Sequence, residues 1–168
     1  MKLNLGCGDT ILKGFVNVDI VKRKDVTVCN LDKFPLPWKN NSVDYIFCSH
    51  LLEHLNDPIN FVLELHRISK PGAVINMIVP HFSFCASYAE LSHKRPGVSY
   101  LAFGYPEWNK EFEGKFKVTT KLNFTRVNSK WLNHIFNPII NLSPILYERF
   151  FCYLLPCSEV QFRLKVIK

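Results

Sequence analysis

The sequence has little of what a zinc module, a disulfide-stabilised domain or a membrane-spanning protein needs. Its six cysteines are irregularly spaced and include no Cys-x-x-Cys pair, so neither a zinc knuckle nor a disulfide framework is indicated. No apolar run approaches the about 18 residues of a membrane helix, and no apolar signal segment precedes Gly6. Internal repeats and low-complexity linkers are also absent. We therefore expect a soluble, cytoplasmic protein with reduced thiols and no metal site.

The chain is long and apolar enough for one domain with a substantial core. It has 168 residues, of which 48% are hydrophobic. A formal charge of +7 permits anionic partners such as nucleic acid, phosphorylated sugars or an acidic membrane surface. The basic residues are nevertheless scattered, and only Lys22-Arg23-Lys24 forms a run. No clear nucleic-acid site is predicted.

Two short apolar stretches with polar ends open the chain. Leu3 to Gly6 predicts a strand that runs into the Gly6-Cys7-Gly8 turn, and Phe15 to Ile20 predicts a second strand that carries Asp19 near its end. Glycine permits backbone angles closed to other residues and lets a ligand approach the main chain. A carboxylate on the neighbouring strand can accept hydrogen bonds from ribose hydroxyls. The pattern indicates a nucleoside pocket at the carboxyl edge of a parallel sheet.

The spacing disfavours a dinucleotide in that pocket. The dinucleotide fingerprint needs glycine or alanine where Ile11 stands and an acid about 20 residues further on, whereas Asp19 comes much sooner. Residues 9–15 also leave little room for the helix that would hold a pyrophosphate at its N-terminus. A cofactor with ribose and adenine but no phosphate fits better, and S-adenosylmethionine has that chemistry.

The chain resembles the class I S-adenosylmethionine-dependent methyltransferases, especially a compact, type 11-like branch in which Leu-Asn-Leu-Gly-Cys-Gly opens the chain. The further matching segments are Asn30-Leu31, Val43-Asp44-Tyr45-Ile46, His50-Leu51-Leu52-Glu53-His54-Leu55 and Lys70-Pro71-Gly72-Ala73. No single motif decides the matter, but their order and spacing together are specific. An ordinary glycine turn in an α/β domain without a ligand stays open as the alternative.

The resemblance implies a Rossmann-like, doubly wound, mostly parallel seven-stranded α/β sheet with an antiparallel C-terminal edge pair. It implies one domain over residues 1–168, with a cofactor-binding half at 1–80 and a substrate-side loop and C-terminal edge at 81–168. The cofactor-binding residues implied are Asn4, Gly6, Cys7, Gly8, Asp19, Ile20, Asn30, Leu31, Ser49 and His50. Family members often have an acid at the position of Asn30, so Asp32 is a substitute candidate for the adenine contact.

The sequence pattern predicts strands, helices and one long loop. The predicted strands are 3–6, 15–20, 26–29, 43–48, 73–79, 115–126 and 160–166; the helices are 57–68 and 144–155; the loop is 81–105. The helix at 144–155 is apolar on nearly every side, which indicates burial against the sheet or, alternatively, a homodimer or membrane-surface contact.

Three histidines are the candidate catalytic residues, since methyl transfer to oxygen often needs a base. His50 follows the fourth predicted strand, His81 follows the fifth, and His93 lies in Ser92-His93-Lys94-Arg95, which is similar to a family loop. An ordinary surface or packing role stays open for His81 and His93.

One competing motif overlaps these candidates. His50-Leu51-Leu52-Glu53-His54 matches the His-x-x-Glu-His signature of inverted zinc proteases. That chemistry needs both histidines on one helix, whereas the first one directly follows a buried strand and the helix signal comes only at Asp57-Pro58. The metalloprotease interpretation is therefore disfavoured.

The segment from Tyr147-Glu148-Arg149 to Pro156 is similar to methyltransferase-like proteins of surface-polysaccharide pathways. By analogy, a small-molecule or glycan-type acceptor is expected. Two alternatives stay open: a non-catalytic binding or scaffold domain, and a nucleic-acid methyltransferase suggested only by the net charge.

Overall fold

A computed structural model describes residues 1–103, 109–125 and 130–168. It contains one seven-stranded sheet built from β1 Lys2–Leu5, β2 Val16–Asp19, β3 Val26–Val28, β4 Val43–Ser49, β5 Ser69–Pro80, β6 Phe116–Asn123 and β7 Glu159–Val166. The strand order is β3-β2-β1-β4-β5-β7-β6, in which the first five strands are parallel and β7 is antiparallel to both β5 and β6. The predicted Rossmann-like architecture with its antiparallel edge pair is confirmed. The strand predicted at 115–126 ends earlier, at Asn123, while Arg126 and the end of the long loop predicted to reach Tyr105 lie outside the described residues.

The helices are α1 Pro58–Ile68, α2 Ala86–Ala89, α3 Leu132–Leu142 and α4 Pro144–Leu146, with 3₁₀ turns at Leu52–His54 and Lys110–Phe112. Helix α1 begins where the sequence predicts, because the Asp57 carboxylate accepts a hydrogen bond from the Asn60 backbone N–H at 3.0 Å and Pro58 occupies the first turn. Its buried side chains, which pack into the sheet core, are Phe61, Val62, Leu65 and Ile68.

The first three crossovers are loops rather than helices. Residues 6–15 connect β1 to β2 through turns, as the short spacing predicts. A buried asparagine pair supports this loop: the Asn4 amide donates to the Asn17 side-chain oxygen and to the Thr10 carbonyl, each at 2.8 Å. The same Asn17 oxygen accepts from the Leu12 backbone N–H at 2.9 Å. Side-chain hydrogen bonds thus satisfy the loop's polar groups in place of a helix.

The C-terminal half departs from the sequence-based expectations in two ways. Helix α3 is not among the predicted elements. The helix predicted at 144–155 is wrong in its extent, because α4 passes into a π-helical turn at Tyr147–Phe151 and the chain then folds back. The Tyr147 hydroxyl donates to the Leu155 carbonyl at 2.6 Å, which holds that reversal.

None of the helices in the described ranges is long and apolar enough to cross a membrane.

Candidate functional site

The glycine bend after β1 and the carboxylate at the end of β2 face each other. Gly6 and Gly8 have φ of 64° and 50°, the left-handed conformation that favours glycine. The Asp19 carboxylate accepts the Gly8 backbone N–H at 2.9 Å through Oδ2 and the Val21 backbone N–H at 2.9 Å through Oδ1. The Arg23 guanidinium lies 3.5 Å from Oδ1. The acid is therefore oriented by backbone donors at the carboxyl edge of the parallel sheet.

A cavity of about 230 Å³ opens beside this pair. Its lining includes five of the predicted cofactor-binding residues, namely Gly6, Asp19, Ile20, Asn30 and Leu31. It also includes Asp32, the substitute candidate for the adenine contact, and five residues that the sequence analysis did not assign to the cofactor: Cys29, Leu51, His54, Leu55 and Lys94. The cavity thus joins the ends of β1 and β2 to the loop after β3 and the 3₁₀ turn after β4.

The other predicted cofactor-binding residues, Asn4, Cys7, Gly8, Ser49 and His50, are not part of this lining. Asn4 is 2% exposed and serves the loop beneath the cavity. Burial and the nearby Asp19 raise the pKa of the Cys7 thiol, so this cysteine is held protonated. Gly8 reaches the site through its N–H to Asp19. The contacts predicted for these residues would have to be indirect or made by backbone atoms.

Asn30 and Asp32 shape the far end of the cavity. The Asn30 side-chain oxygen, predicted to meet the adenine amino group, accepts the Asp32 backbone N–H at 2.9 Å. The Asp32 carboxylate accepts from the Asn56 backbone N–H at 2.8 Å and side-chain amide at 3.0 Å. Both polar side chains therefore hold loops in place at this end of the cavity.

His50 is held between two carboxylates next to a second, smaller cavity. Its Nε2 lies 2.8 Å from Glu159 Oε1, and its Nδ1 lies 3.3 Å from Glu53 Oε1. His50, Glu159 and His93 line a cavity of about 90 Å³ together with Glu90. Two of the three candidate catalytic histidines, His50 and His93, therefore line the same small cavity.

His81 is placed differently from the prediction. Its side chain is fully buried, where its Nε2–H donates to Glu148 at 3.0 Å and its Nδ1 accepts from the Ser83 hydroxyl at 2.7 Å. Glu148 also accepts from the Ser99 hydroxyl at 2.5 Å and the Tyr100 backbone N–H at 2.7 Å. The π-helical turn that carries Glu148 covers the histidine. This enclosed position suits the packing role left open for His81, and its catalytic role stays a prediction.

Sequence reasoning missed Glu159 and gave Glu53 only a minor place. Glu159 begins β7 and pairs in register with Pro80 at the end of β5, a contact between distant parts of the chain. No local pattern marks such a residue.

Burial, and secondarily the Glu53 carboxylate, raises the pKa of the nearby Cys48 thiol to about 12, which excludes Cys48 as a thiolate nucleophile at neutral pH.

Comparison with known proteins gives a family match and structural neighbours. The family model described as a methyltransferase domain matches residues 11–77. No curated protein matches the sequence. An S-adenosylmethionine-dependent methyltransferase from Archaeoglobus fulgidus is 18% identical with a TM-score of 0.63, over 98% of this chain and 85% of that one. The YcgJ protein from Bacillus subtilis is 17% identical with a TM-score of 0.62, over 99% and 92%.

A more distant neighbour is phosphoethanolamine N-methyltransferase 2 from Haemonchus contortus, solved with S-adenosylmethionine. It is 15% identical with a TM-score of 0.58, and the match covers 99% of this chain but 48% of that protein. At these identities the neighbours establish the fold. Over residues 11–77 the chain is similar to the methyltransferase domain, and it shares the fold of these S-adenosylmethionine-dependent methyltransferase neighbours.

Proposed function

We propose that this protein transfers the methyl group of S-adenosylmethionine to a small-molecule or glycan-type acceptor. The observation that carries the proposal is the pairing of Asp19 with the glycine bend on one wall of the 230 Å³ cavity. Neighbours with the same fold support the cofactor: the Haemonchus enzyme was solved with S-adenosylmethionine, and the plantazolicin methyltransferase BpumL with S-adenosylhomocysteine.

In this proposal Asp19 accepts hydrogen bonds from the ribose, and the Gly6–Gly8 backbone lies against the methionine portion. Asn30 and Leu31 line the adenine end, since both face the same cavity. The cofactor supplies a methyl group already activated by its sulfonium, so much of the rate depends on alignment of the acceptor. Of the residues assigned here, Gly6, Asp19, Asn30 and Leu31 line the same cavity, which supports the proposal.

The acceptor is proposed to enter at the smaller cavity beside His50 and His93. His50 is oriented by Glu159, which lies 2.8 Å from its Nε2, so a proton from an acceptor hydroxyl would have to pass to its Nδ1, the nitrogen 3.3 Å from Glu53. His93 lines the opposite side and is only 7% exposed. A glycan-type acceptor remains an inference by analogy with the C-terminal sequence pattern.

The experiment is calorimetric titration with S-adenosylmethionine. Asp19→Ala should weaken binding at least about tenfold, equivalent to about 1.4 kcal/mol, because the ribose loses its acceptor. Asp9→Ala is the matched control, since Asp9 also pairs with Arg23 at 3.1 Å but is 94% exposed. Asp19→Asn keeps an oxygen for the Gly8 N–H and covers the case in which the alanine variant does not fold. Wild-type affinity in both Asp19 variants would overturn the ribose assignment.

A non-catalytic binding or scaffold role is the second candidate, favoured by the engagement of His50 and His81 with buried carboxylates. In that case the wild-type protein would not bind S-adenosylmethionine in the same titration. This chain also matches, at 15% identity, a chain from the complex between the Haloferax volcanii Trm112 methyltransferase activator and a methyltransferase. A protein partner is therefore compatible with either role. Salt-sensitive binding of RNA or DNA would instead favour a nucleic-acid acceptor.

A further inference from the structure

A buried carboxylate and two histidines meet where the two cavities approach each other. Glu53, His54 and His93 each place one ligand atom within 4.8 Å of the others. Glu53 is 2% exposed, and neither of its carboxylate oxygens has a hydrogen-bond partner. The His50 Nδ1 lies 3.3 Å from Glu53 Oε1. A buried carboxylate without a hydrogen bond is costly, and His50 approaches only one of its two oxygens, which points to a further positive charge at this position.

The two histidines have their ring nitrogens arranged as metal ligands do. The Nδ1 of His54 lies 3.2 Å from the Ser92 carbonyl, and the Nδ1 of His93 lies 3.0 Å from the Ser87 carbonyl. Because a carbonyl can only accept, each Nδ1 carries the hydrogen, and each neutral ring presents a lone pair at Nε2. Histidines that bind metals usually donate their second ring N–H in this way.

A carboxylate on the other side of His93 supports the same conclusion. His93 Nε2 lies 3.4 Å from Glu90 Oε2. In the neutral ring this nitrogen would direct its lone pair at a carboxylate, a repulsive contact that a cation or a second proton relieves. The His54 and His93 rings also contact each other edge to face, with centroids 4.8 Å apart. If both histidines were protonated instead, the two adjacent imidazolium rings would repel each other. A metal ion could bind both Nε2 atoms and the carboxylates without that repulsion.

We propose that Glu53, His54 and His93 bind a divalent transition-metal ion such as zinc, with Glu90 within reach as a further ligand. Two imidazoles with a carboxylate suit this class of ion. Since His54 lines the larger cavity and His93 the smaller one, the ion would lie between the proposed cofactor and acceptor sites. If the proposed function holds, it would polarise an acceptor oxygen there.

The first experiment measures zinc binding to the purified full chain by competition with a chromophoric chelator. One site is expected in the wild type, and His93→Ala and Glu53→Gln should each weaken it at least about tenfold. His66→Ala is the matched control, because that histidine is bound to the Ile167 carbonyl on another face. Equal zinc affinity in the wild type and the His93 variant, or an equal loss in the control, would overturn the proposal.

A second measurement covers the case in which those variants do not fold. His93→Cys is loaded with cobalt(II), and a thiolate-to-cobalt charge-transfer band is expected in its absorption spectrum. Absence of that band in a folded variant would rule out coordination by residue 93. Calorimetry with S-adenosylmethionine reports separately on the proposed function: zinc binding without cofactor binding would overturn that function and leave the metal site standing.

A different feature, formed by residues that line neither of the two cavities described above, carries a second inference. Helix α3 presents a stripe of exposed apolar side chains that continues past α4, and we call these eight residues the apolar ridge: Trp131, Ile135, Ile139, Leu142, Leu146, Phe150, Tyr153 and Leu154. Each is 50% exposed or more. An apolar surface of this kind marks an interaction site.

The exposed charges in the chain segment that carries the apolar ridge have one sign. Between Lys115 and Ser158 the sequence has six lysine and arginine residues and one acid, Glu148. That acid is turned inward to His81 and Ser99, whereas Lys121, Lys130 and Arg149 are exposed. The Arg149 guanidinium lies 5.8 Å from the centre of the Phe150 ring. Two copies of such a surface would repel, so a second copy of the chain is disfavoured as its partner.

We propose that the apolar ridge docks on an anionic lipid bilayer. Aromatic and aliphatic side chains would enter the interface while the flanking cations contact lipid headgroups. Helix α3 suits this placement because its opposite face is already bonded to β6 through asparagines.

Vesicle co-sedimentation tests this docking. Binding is expected to vesicles of equal parts phosphatidylcholine and phosphatidylglycerol, but not to phosphatidylcholine alone, and high salt should weaken it. The double variant Ile139→Ser/Phe150→Ser should lose binding, whereas Leu91→Ser, fully exposed elsewhere, should keep it. Equal binding by the double variant would overturn the proposal. So would a concentration-dependent dimer in sedimentation velocity that the same variant abolishes.

Discussion

At the scale of single residues, one side chain often has both a structural and a chemical task. Asp19 closes the glycine bend through the Gly8 N–H and also lines the larger cavity. Glu148 covers His81 and orders Ser99 and Tyr100. Substitutions at such positions change the fold and the site together, which is why matched control variants are needed.

Gly97 is a residue at which backbone geometry decides the outcome. It has φ of 55°, and an added Cβ would lie 2.4 Å from the Pro80 carbonyl oxygen. We expect Gly97→Ala to lower the free energy of unfolding by about 2–4 kcal/mol, because strain and a clash with immobile backbone combine. Urea denaturation measures the change.

Gly14→Ala is its control. Gly14 also has positive φ, 81°, but open space where its Cβ would lie, so only the strain should appear, about 1 kcal/mol. If both variants lost the same free energy of unfolding, the clash with the Pro80 carbonyl would not contribute to the destabilisation.

At the scale of elements, the edge strand β6 is covered by a ladder of asparagines from α3. Asn133, Asn137 and Asn141 follow one another at helical spacing, and their side-chain oxygens accept the backbone N–H groups of Thr125, Phe124 and Leu122 at 2.8–2.9 Å. An edge strand otherwise presents unpaired backbone groups to other chains. The ladder satisfies such groups at the end of β6 and just beyond it, from Leu122 to Thr125, and it fixes which face of α3 remains exposed.

Asn141→Leu tests this ladder. The Asn141 amide both accepts from the Leu122 N–H and donates to the Leu122 carbonyl, each at 2.8 Å. Leucine would leave both backbone groups without these partners, and the expected loss in the free energy of unfolding is about 1–3 kcal/mol. Ile139→Ala, on the exposed stripe of the same helix, should change it by less than about 0.5 kcal/mol. Comparable losses in the two variants would contradict a role for the ladder in stability.

At the scale of the whole molecule, several carboxylates make stability depend on pH in the same direction. Hydrogen bonding to Lys70 lowers the pKa of Asp44 to about 2, and hydrogen bonding to the Arg67 guanidinium lowers the pKa of Glu64. A carboxylate whose folded-state pKa is lowered stabilises the native state above its unfolded pKa, and this contribution disappears as pH falls. The free energy of unfolding should therefore decline below about pH 4.5.

Glu64→Gln isolates one part of this dependence. Glu64 pairs with Arg67 through both carboxylate oxygens, and Arg67 in turn donates to the Leu36 and Trp38 carbonyls, which ties α1 to the loop before β4. The variant should be less stable than the wild type at neutral pH, and the difference should shrink as pH falls through the lowered pKa of Glu64. Chemical denaturation at several pH values measures it, with Glu111→Gln as an exposed control. A difference that stays constant down to pH 3 would contradict the linkage.

Much of the fold was predictable because its signals are local. The strand at Val43–Ser49 is a nearly continuous apolar run, and α1 carries both its N-cap and its periodic apolar face. The glycine bend and Asp19 belong to two strands that are close in sequence, so their pairing could be expected as well. Helix α3 was missed because its stabilising contacts are asparagine side chains bonded to a strand, a pattern that carries no apolar periodicity toward the core.

The sequence by itself determined the sheet, the glycine bend and the carboxylate beside it, since each depends on residues near one another in the chain. Only the tertiary structure decided the partners of the histidines. His81 was buried under Glu148, His50 was set against Glu159, and His93 was brought to Glu53 and His54. These contacts join segments far apart in sequence, and the path of the chain over the sheet edge, rather than any local pattern, sets their distances.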